Sequence, residues 1–170
     1  PSPPFPLFPP SPPVPPVPPT PPHVNNVNII AGGNFFGGPA GQQLPYNMLW
    51  SSDGKVWHFE EENSPFNKIA FNGTQNGEFW IMGGMVNHGF ATSYDGLQWT
   101  GLGTNIMSQV SNIVYNDVTN FYVAVGDGNN TLAWSTDGIN WNGSGRSTFG
   151  SYANAVDTNE TGTLWVAGGT

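Results

Sequence analysis

Three seven-residue stretches decide how this sequence folds: Ser51-Ser-Asp-Gly-Lys-Val-Trp57, Ser93-Tyr-Asp-Gly-Leu-Gln-Trp99 and Ser135-Thr-Asp-Gly-Ile-Asn-Trp141. Successive copies begin 42 residues apart, so the serine, aspartate, glycine and tryptophan of each copy recur at one spacing. A fixed period of this size is typical of propellers, solenoids and other repeat arrays. We call this Ser-x-Asp-Gly-x-x-Trp pattern the box.

Each box has the chemistry of a tight turn. The aspartate can accept hydrogen bonds from the backbone N–H groups that follow it, and the glycine allows a positive φ without steric cost. The serine can close a side-chain bond across the hairpin, and the tryptophan can wedge between neighbouring repeats. A calcium site needs more oxygen ligands than one carboxylate per turn provides. The predicted structural residues are Ser51, Asp53, Gly54, Trp57, Ser93, Asp95, Gly96, Trp99, Ser135, Asp137, Gly138 and Trp141.

Two further elements recur with the boxes. One is an apolar run that ends in glycine, at residues 29–33, 80–84, 122–126 and 165–169. The other precedes it, at residues 68–71, 112–115 and 152–155, and a nine-residue insertion, predicted to be a loop within 35–44, enlarges the first repeat. With the strands that enter and leave each box, they predict an all-β fold of tandem four-stranded antiparallel blades of the β-propeller type. The chain would supply strands two to four of one blade, two complete blades, and strands one and two of another.

A proline-rich segment precedes these repeats. Residues 1–22 contain fourteen prolines and no charged residue, and from Ser11 onward every third residue is followed by two prolines. This pattern predicts a polyproline II rod of up to roughly 70 Å, over residues 1–23. Residues 24–170 form the predicted box-repeat domain. The rod can act as a stiff spacer or as a docking element, and both interpretations stay open.

Composition excludes several classes of function. The net charge of −8, with only three lysines and arginines, opposes binding to nucleic acid and to anionic membranes. No apolar run reaches the length of a membrane span, so we expect no membrane insertion. The chain contains no cysteine, which rules out disulfides and thiolate metal sites. Because it has neither an initiator methionine nor a signal sequence, we expect a processed form or a portion of a longer protein.

Four Asn-x-Ser/Thr sequons indicate a secreted, extracellular glycoprotein, although an asparagine-rich chain also makes some sequons by chance. Each lies in a stretch rich in glycine, asparagine and threonine that we predict to be a loop. The predicted N-glycosylation sites are Asn72, Asn129, Asn142 and Asn159.

The boxes resemble the Asp-box, or BNR, repeats of sialidase-like propellers. The closest match runs from Tyr122-Val-Ala-Val-Gly126 to the third box, but the sialidase box has one more residue between aspartate and glycine. Such repeats imply a scaffold, with no particular activity. The proline-rich segment resembles those of algal and plant hydroxyproline-rich cell-wall glycoproteins, which implies hydroxylation and O-glycosylation. The candidate positions are Pro9, Pro10, Ser11, Pro12, Pro13, Pro15, Pro16, Pro18, Pro19, Thr20, Pro21 and Pro22.

The resemblance to sialidases raises the question of catalysis, and the residues argue against it. Sialidases hold their substrate with three arginines, whereas this chain has only Arg146. Other glycosidases need two opposed carboxylates, and the acids here lie in predicted turns. They are Glu60, Glu61, Glu62, Glu78, Asp117, Asp127, Asp157 and Glu160. His23, His58 and His88 lack metal-ligand spacing. We therefore expect no enzyme, no cofactor and no metal.

Two functions remain. The first is a structural subunit of an extracellular filament, sheath or surface coat, which assembles into a homopolymer through its proline rod and its open repeat ends. The second is a propeller module that binds glycans or proteins through exposed aromatic side chains. Trp50, Trp80, Trp134 and Trp165 are the candidates for such a face, and packing between blades is the alternative role for them.

Overall fold

The computed structural model describes residues 29–33, 36–37, 42–43, 48–59, 70–77 and 79–170. These ranges contain fifteen strands and no helix, which confirms the prediction of an all-β fold. No helix in the described part of the chain is long and apolar enough to cross a membrane. The predicted polyproline rod lies outside the described residues.

The strands form antiparallel sheets that follow the order of the chain. The first sheet consists of β1 (Ile29–Gly32), β4 (Met48–Ser51) and β5 (His58–Phe59). The second consists of β6 (Ala70–Gln75), β7 (Trp80–Gly84), β8 (Phe90–Ser93) and β9 (Thr100–Gly101). The third consists of β10 (Gln109–Asn116), β11 (Phe121–Asp127), β12 (Leu132–Ser135) and β13 (Asn142–Gly143). The last consists of β14 (Ala153–Thr158) and β15 (Trp165–Gly169).

The insertion in the first repeat contains a short strand pair, β2 (Phe36–Gly37) and β3 (Gln42–Gln43). The prediction of a plain loop between residues 35 and 44 is wrong in this respect. Pairing within the insertion satisfies backbone polar groups locally, so it needs no partner from the first sheet.

The two complete sheets repeat each other in register. Trp80 lies opposite Ser93 in the β7–β8 pair, and Tyr122 lies opposite Ser135 in the β11–β12 pair. The first strands β6, β10 and β14 each carry a bulge near the glycine end of the strand they pair with. The prediction of four-stranded antiparallel sheets is therefore confirmed for these two repeats.

The hydrophobic core lies between sheets. Strand β10 of the third sheet contacts β6 and β7 of the second sheet on one side and β14 of the last sheet on the other. The largest buried cluster combines residues of the second and third sheets: Phe79, Ile81, Phe90, Met107, Val110, Ile113, Tyr122, Ala124, Ala133 and Trp141. A smaller cluster joins the third sheet to the last: Val123, Val125, Ala153 and Val156. Each sheet therefore depends on its neighbours for burial of its apolar faces.

Candidate functional site

The third box forms a turn held by its own side chains. The backbone N–H groups of Ile139 and Asn140 donate to Oδ1 of Asp137 at 2.9 and 2.7 Å. Oγ of Ser135 donates to the same carboxylate at 3.0 Å and accepts the N–H of Gly138 at 2.8 Å. The serine thus works within the turn, and the predicted bond across the hairpin is wrong, because its Oγ is engaged by the residues that follow it.

The other two boxes repeat this arrangement. Oδ1 of Asp53 accepts the backbone N–H groups of Lys55 and Val56 at 2.8 and 2.9 Å. Oδ1 of Asp95 accepts those of Leu97 and Gln98 at 2.8 and 2.7 Å. The box glycines have φ values of 72°, 77° and 71°, in the region that favours glycine. The predicted role of the box as a hydrogen-bonded turn is confirmed in all three copies.

The hydrogen bonds keep the box carboxylates ionised. Burial raises the pKa of Asp137, but hydrogen bonds from Asn140, Ile139 and Ser135 outweigh it and lower the pKa to about 2. The pKa values of Asp53 and Asp95 are lowered as well, for Asp53 mainly by the N–H groups of Val56 and Lys55. A general acid needs a raised pKa. These carboxylates are therefore suited to holding turns.

The box tryptophans differ in burial. Trp141 is 8% exposed, and its ring stacks on Phe90 of the preceding sheet at a centroid distance of 4.1 Å. Its Nε1 donates to the carbonyl of Gly138 at 2.9 Å. Trp99 is partly buried and packs against the cluster of Met48, Met82 and Ala91 between the first and second sheets. The predicted wedge between repeats is confirmed for these two residues.

Trp57 does not follow this prediction, because 38% of its surface is exposed. Its box has the same aspartate and serine hydrogen bonds as the other two. Burial of a box tryptophan therefore depends on the sheet against which it packs, and the turn forms without that contact.

A further turn that is closed by a tryptophan was not predicted from the sequence. Nε1 of Trp165 donates to the carbonyl of Gly162 at 3.1 Å, and Gly162 has a φ of 67°. This turn joins β14 to β15, where no Ser-x-Asp-Gly sequence is present. The Gly-x-x-Trp spacing, shared with Gly138 and Trp141, is the signal that could have revealed it.

The single arginine has a structural role. A nitrogen of Arg146 lies 2.7 Å from Oδ1 of Asp127, and a second nitrogen donates to the carbonyl of Ser151 at 2.8 Å. The hydrogen bond from Arg146 is the main cause of the lowered pKa of Asp127. This residue thus closes the loop between β13 and β14.

Three of the remaining described acids line one groove. Asp117, Asp157 and Glu160 line an open groove of about 600 Å³ beside Asn116. Asn116 is buried, and its amide donates to the carbonyls of Asn159 and Glu160. In the described part of the chain, no three acidic or histidine side chains lie together as potential metal ligands. Glu60, Glu61, Glu62 and Glu78 lie outside the described residues.

The described histidines make local contacts. His58 stacks on Trp50 at a centroid distance of 4.4 Å. Nδ1 of His88 accepts the N–H of Gly103 at 2.8 Å. Oδ1 of Asn130, 42 residues further on, accepts the N–H of Gly145 at 2.7 Å in the same place of the third sheet. His88 is thus the counterpart of a structural asparagine. His23 lies outside the described residues.

The candidate binding aromatics fall into different environments. Trp134 is exposed on β12 and stacks on Phe121, which also contacts Trp165 edge to face. Trp50 stacks on His58 in the first sheet, and Trp80 is partly buried in β7. The structure brings Trp134 and Trp165 together around one phenylalanine, whereas Trp50 belongs to another sheet.

The sequons lie in two kinds of structure. Asn129 and Asn159 occupy turns and are exposed. Asn72 lies in β6 and Asn142 in β13, so the prediction that all four lie in loops is wrong for these two. The reason is that Asn72 precedes a glycine at a bulge and Asn142 begins a two-residue strand, and both features place turn-like residues in a ladder.

Comparison of the chain with protein-family models, curated proteins and solved structures gave no match.

Equivalent positions on successive sheets differ in exposure. In β7, β11 and β15, the residue that follows the tryptophan or tyrosine of the glycine-ended run is Ile81, Val123 and Val166, respectively. These three residues are 1%, 6% and 63% exposed. Two residues earlier, Phe79 is 6% exposed and Leu164 is 60% exposed. The last described sheet therefore presents to solvent the apolar face that the second sheet buries.

Proposed function

We propose that this protein is a non-catalytic structural subunit of an extracellular glycoprotein filament, sheath or surface coat. The exposed apolar face of β15 supports this proposal, because its counterpart in the second sheet is the packing surface for the next repeat. An apolar sheet face and an open strand edge favour association with further protein.

The proposal includes a propeller-like arrangement of the sheets as blades. Four antiparallel strands in 42 residues, with successive sheets in contact through their first strands, support this arrangement. The Trp141 ring between the second and third sheets supports it as well.

The proline-rich segment at residues 1–23 supplies the second part of the proposed assembly. A polyproline II rod could run along a neighbouring subunit and set the repeat distance of a polymer. We propose that it carries hydroxyproline and O-glycans, and that sequon asparagines carry N-glycans, in a secreted protein. Intact-mass spectrometry of native material tests this, because a mass equal to that of the bare polypeptide would contradict it.

Electron microscopy of the chain at increasing concentration tests the assembly itself. We expect filaments from the full chain. A variant that lacks residues 1–22 should keep the far-ultraviolet spectrum of a β domain and fail to form filaments. Shortened chains that polymerise like the full chain would contradict a role for the rod.

A binding module is the second candidate. The exposed ring of Trp134, which stacks on Phe121 beside Trp165, favours it, because aromatic faces are common in carbohydrate recognition. A glycan array with the full chain tests this candidate. Specific binding that is lost in Trp134→Ala and kept in Trp50→Ala would favour the module over the structural subunit.

A further inference from the structure

The contact between the second and third sheets shows how one repeat receives the next. The turn of the third box lies on Phe79 and Ile81, so closely that a side-chain carbon at Gly138 would collide with both. Residues 138–141 of the third box are here called its corner, and Phe79 and Ile81 are the seat that receives it. The stack of Trp141 on Phe90 completes the contact.

The last described sheet contains an equivalent seat. Asp157 lies opposite Val166 in the β14–β15 pair, as Thr74 lies opposite Ile81 in the β6–β7 pair. Val166 therefore corresponds to Ile81, and Leu164 corresponds to Phe79. Both residues of this terminal seat are more than half exposed.

The first box supplies an equivalent corner. Gly54 has the same positive φ as Gly138, and its aspartate and serine make the same hydrogen bonds. Val56 and Trp57 of this corner are 59% and 38% exposed. One chain thus exposes a corner and the two-residue seat of a contact that it also makes internally. The last described sheet consists of β14 and β15 alone, so it has no counterpart of β8, the strand that carries Phe90.

Charge favours the pairing of these two surfaces. The first corner carries Lys55, one of only three basic residues in the chain. The terminal seat adjoins Asp157 in a shallow groove that Leu164 and Val166 also line. A cation at the corner and a carboxylate beside the seat would steer an otherwise acidic chain into one orientation.

We propose that the corner at residues 54–57 of one copy docks on the seat formed by Leu164 and Val166 of a second copy. The inference depends on the proposed self-assembly and names its interface. Because the two surfaces differ, the contact is head-to-tail, and such a contact builds open filaments unless its rotation closes a ring.

Sedimentation velocity of the full chain tests the proposal. Val166→Asp places a charge in the seat and should weaken self-association about tenfold or more. Val118→Asp is the matched control, because it adds the same charge at an exposed valine in the turn between β10 and β11. It should leave association within about twofold of the original chain. Lys55→Glu should weaken association, and Asp157→Lys in the same chain should restore part of it.

Disulfide trapping provides a second test, because the chain has no cysteine of its own. A mixture of the Lys55→Cys and Val166→Cys variants should give a mixed disulfide dimer under mild oxidation. Ile139→Cys occupies the same place in the third box and is itself 47% exposed. Because the corner of that box is already seated, this variant should give little mixed dimer with Val166→Cys.

The outcomes separate the interface from the proposed function. A chain that self-associates equally well with Val166→Asp and Val118→Asp would overturn the seat and leave the structural role standing. Preferred Val166→Cys homodimers would show back-to-back pairing and would also overturn it. A full chain that stays monomeric at all concentrations would contradict both proposals.

Discussion

The contact between the second and third sheets is buried, whereas the equivalent faces at the two ends of the described array are exposed to solvent. Trp141 and Ile81 are almost fully buried in that contact, whereas their counterparts Trp57 and Val166 are 38% and 63% exposed. The hydrogen bonds of the first and third boxes are nevertheless the same. Turn formation is therefore local, while burial depends on the neighbouring repeat.

This difference separates two contributions to stability. The box fixes a turn through bonds between residues at most three apart in sequence. The tryptophan then contributes more free energy when another sheet removes the rest of its ring from water. The same motif can thus be part of a core at one position and part of an interaction surface at another.

Removal of the two tryptophans should have the largest effect and should separate the two faces. Trp141→Ala should cost ~3–5 kcal/mol in the free energy of unfolding, as for other large buried side chains. Trp57→Ala should cost less, about 1–2 kcal/mol in the monomer, because its ring is more exposed to water than that of Trp141. Urea unfolding at low protein concentration measures both. Equal losses would contradict the account, and Trp99→Ala should lie between them.

Two glycines with the same backbone conformation differ in whether they lie at the contact between sheets. Gly138 and Gly145 both have a φ of 71°, but only at Gly138 would a side chain meet neighbouring atoms, those of Phe79 and Ile81. Gly145→Ala should cost about 1–2 kcal/mol from backbone strain alone. Gly138→Ala should cost about 1–3 kcal/mol more, because it also overpacks the contact between sheets. Similar unfolding midpoints for the two variants would show that the seat can relax.

At one polar position, the second sheet should accept the residue that occupies the same place in the third sheet. His88→Asn should change stability by less than about 0.5 kcal/mol, because Asn130 makes the corresponding bond in the next repeat. His88→Leu should cost about 1–3 kcal/mol, because it leaves the N–H of Gly103 without its acceptor. Thermal unfolding of both variants measures the difference. Equal destabilisation would mean that the imidazole has a role beyond accepting this bond.

The smallest expected effect is on the pH dependence of stability. The pKa of Asp137 is lowered from 3.8 to about 2 in the folded chain. Its ionised form therefore stabilises the fold above pH 3.8, and this contribution is lost as the pH falls towards 2. Asp137→Asn should flatten the pH dependence over this window. An NMR titration that places its pKa at or above 3.8 would contradict the hydrogen-bonded turn.

The sequence was sufficient for features whose causes lie within a few residues. The box turns, the glycine-ended strands and the four-stranded sheets follow from Asp137, Gly138 and the 42-residue period. The burial of a box tryptophan could not be predicted from the box, as Trp57 shows. It depends on a neighbouring sheet that is formed by another part of the chain. The tryptophan-closed turn at Gly162 and the equivalence of His88 and Asn130 depend on the register of strand pairing. That register becomes visible only when the strands pair.

Hydrogen–deuterium exchange at several protein concentrations tests whether the open seat takes part in self-association. It compares β15, which carries the open seat, with β11, which is already covered by the last sheet. We expect the amides of β15 to become more protected as concentration rises, while those of β11 keep the same protection. Exchange in β15 that is independent of concentration, in a chain that remains monomeric, would contradict it.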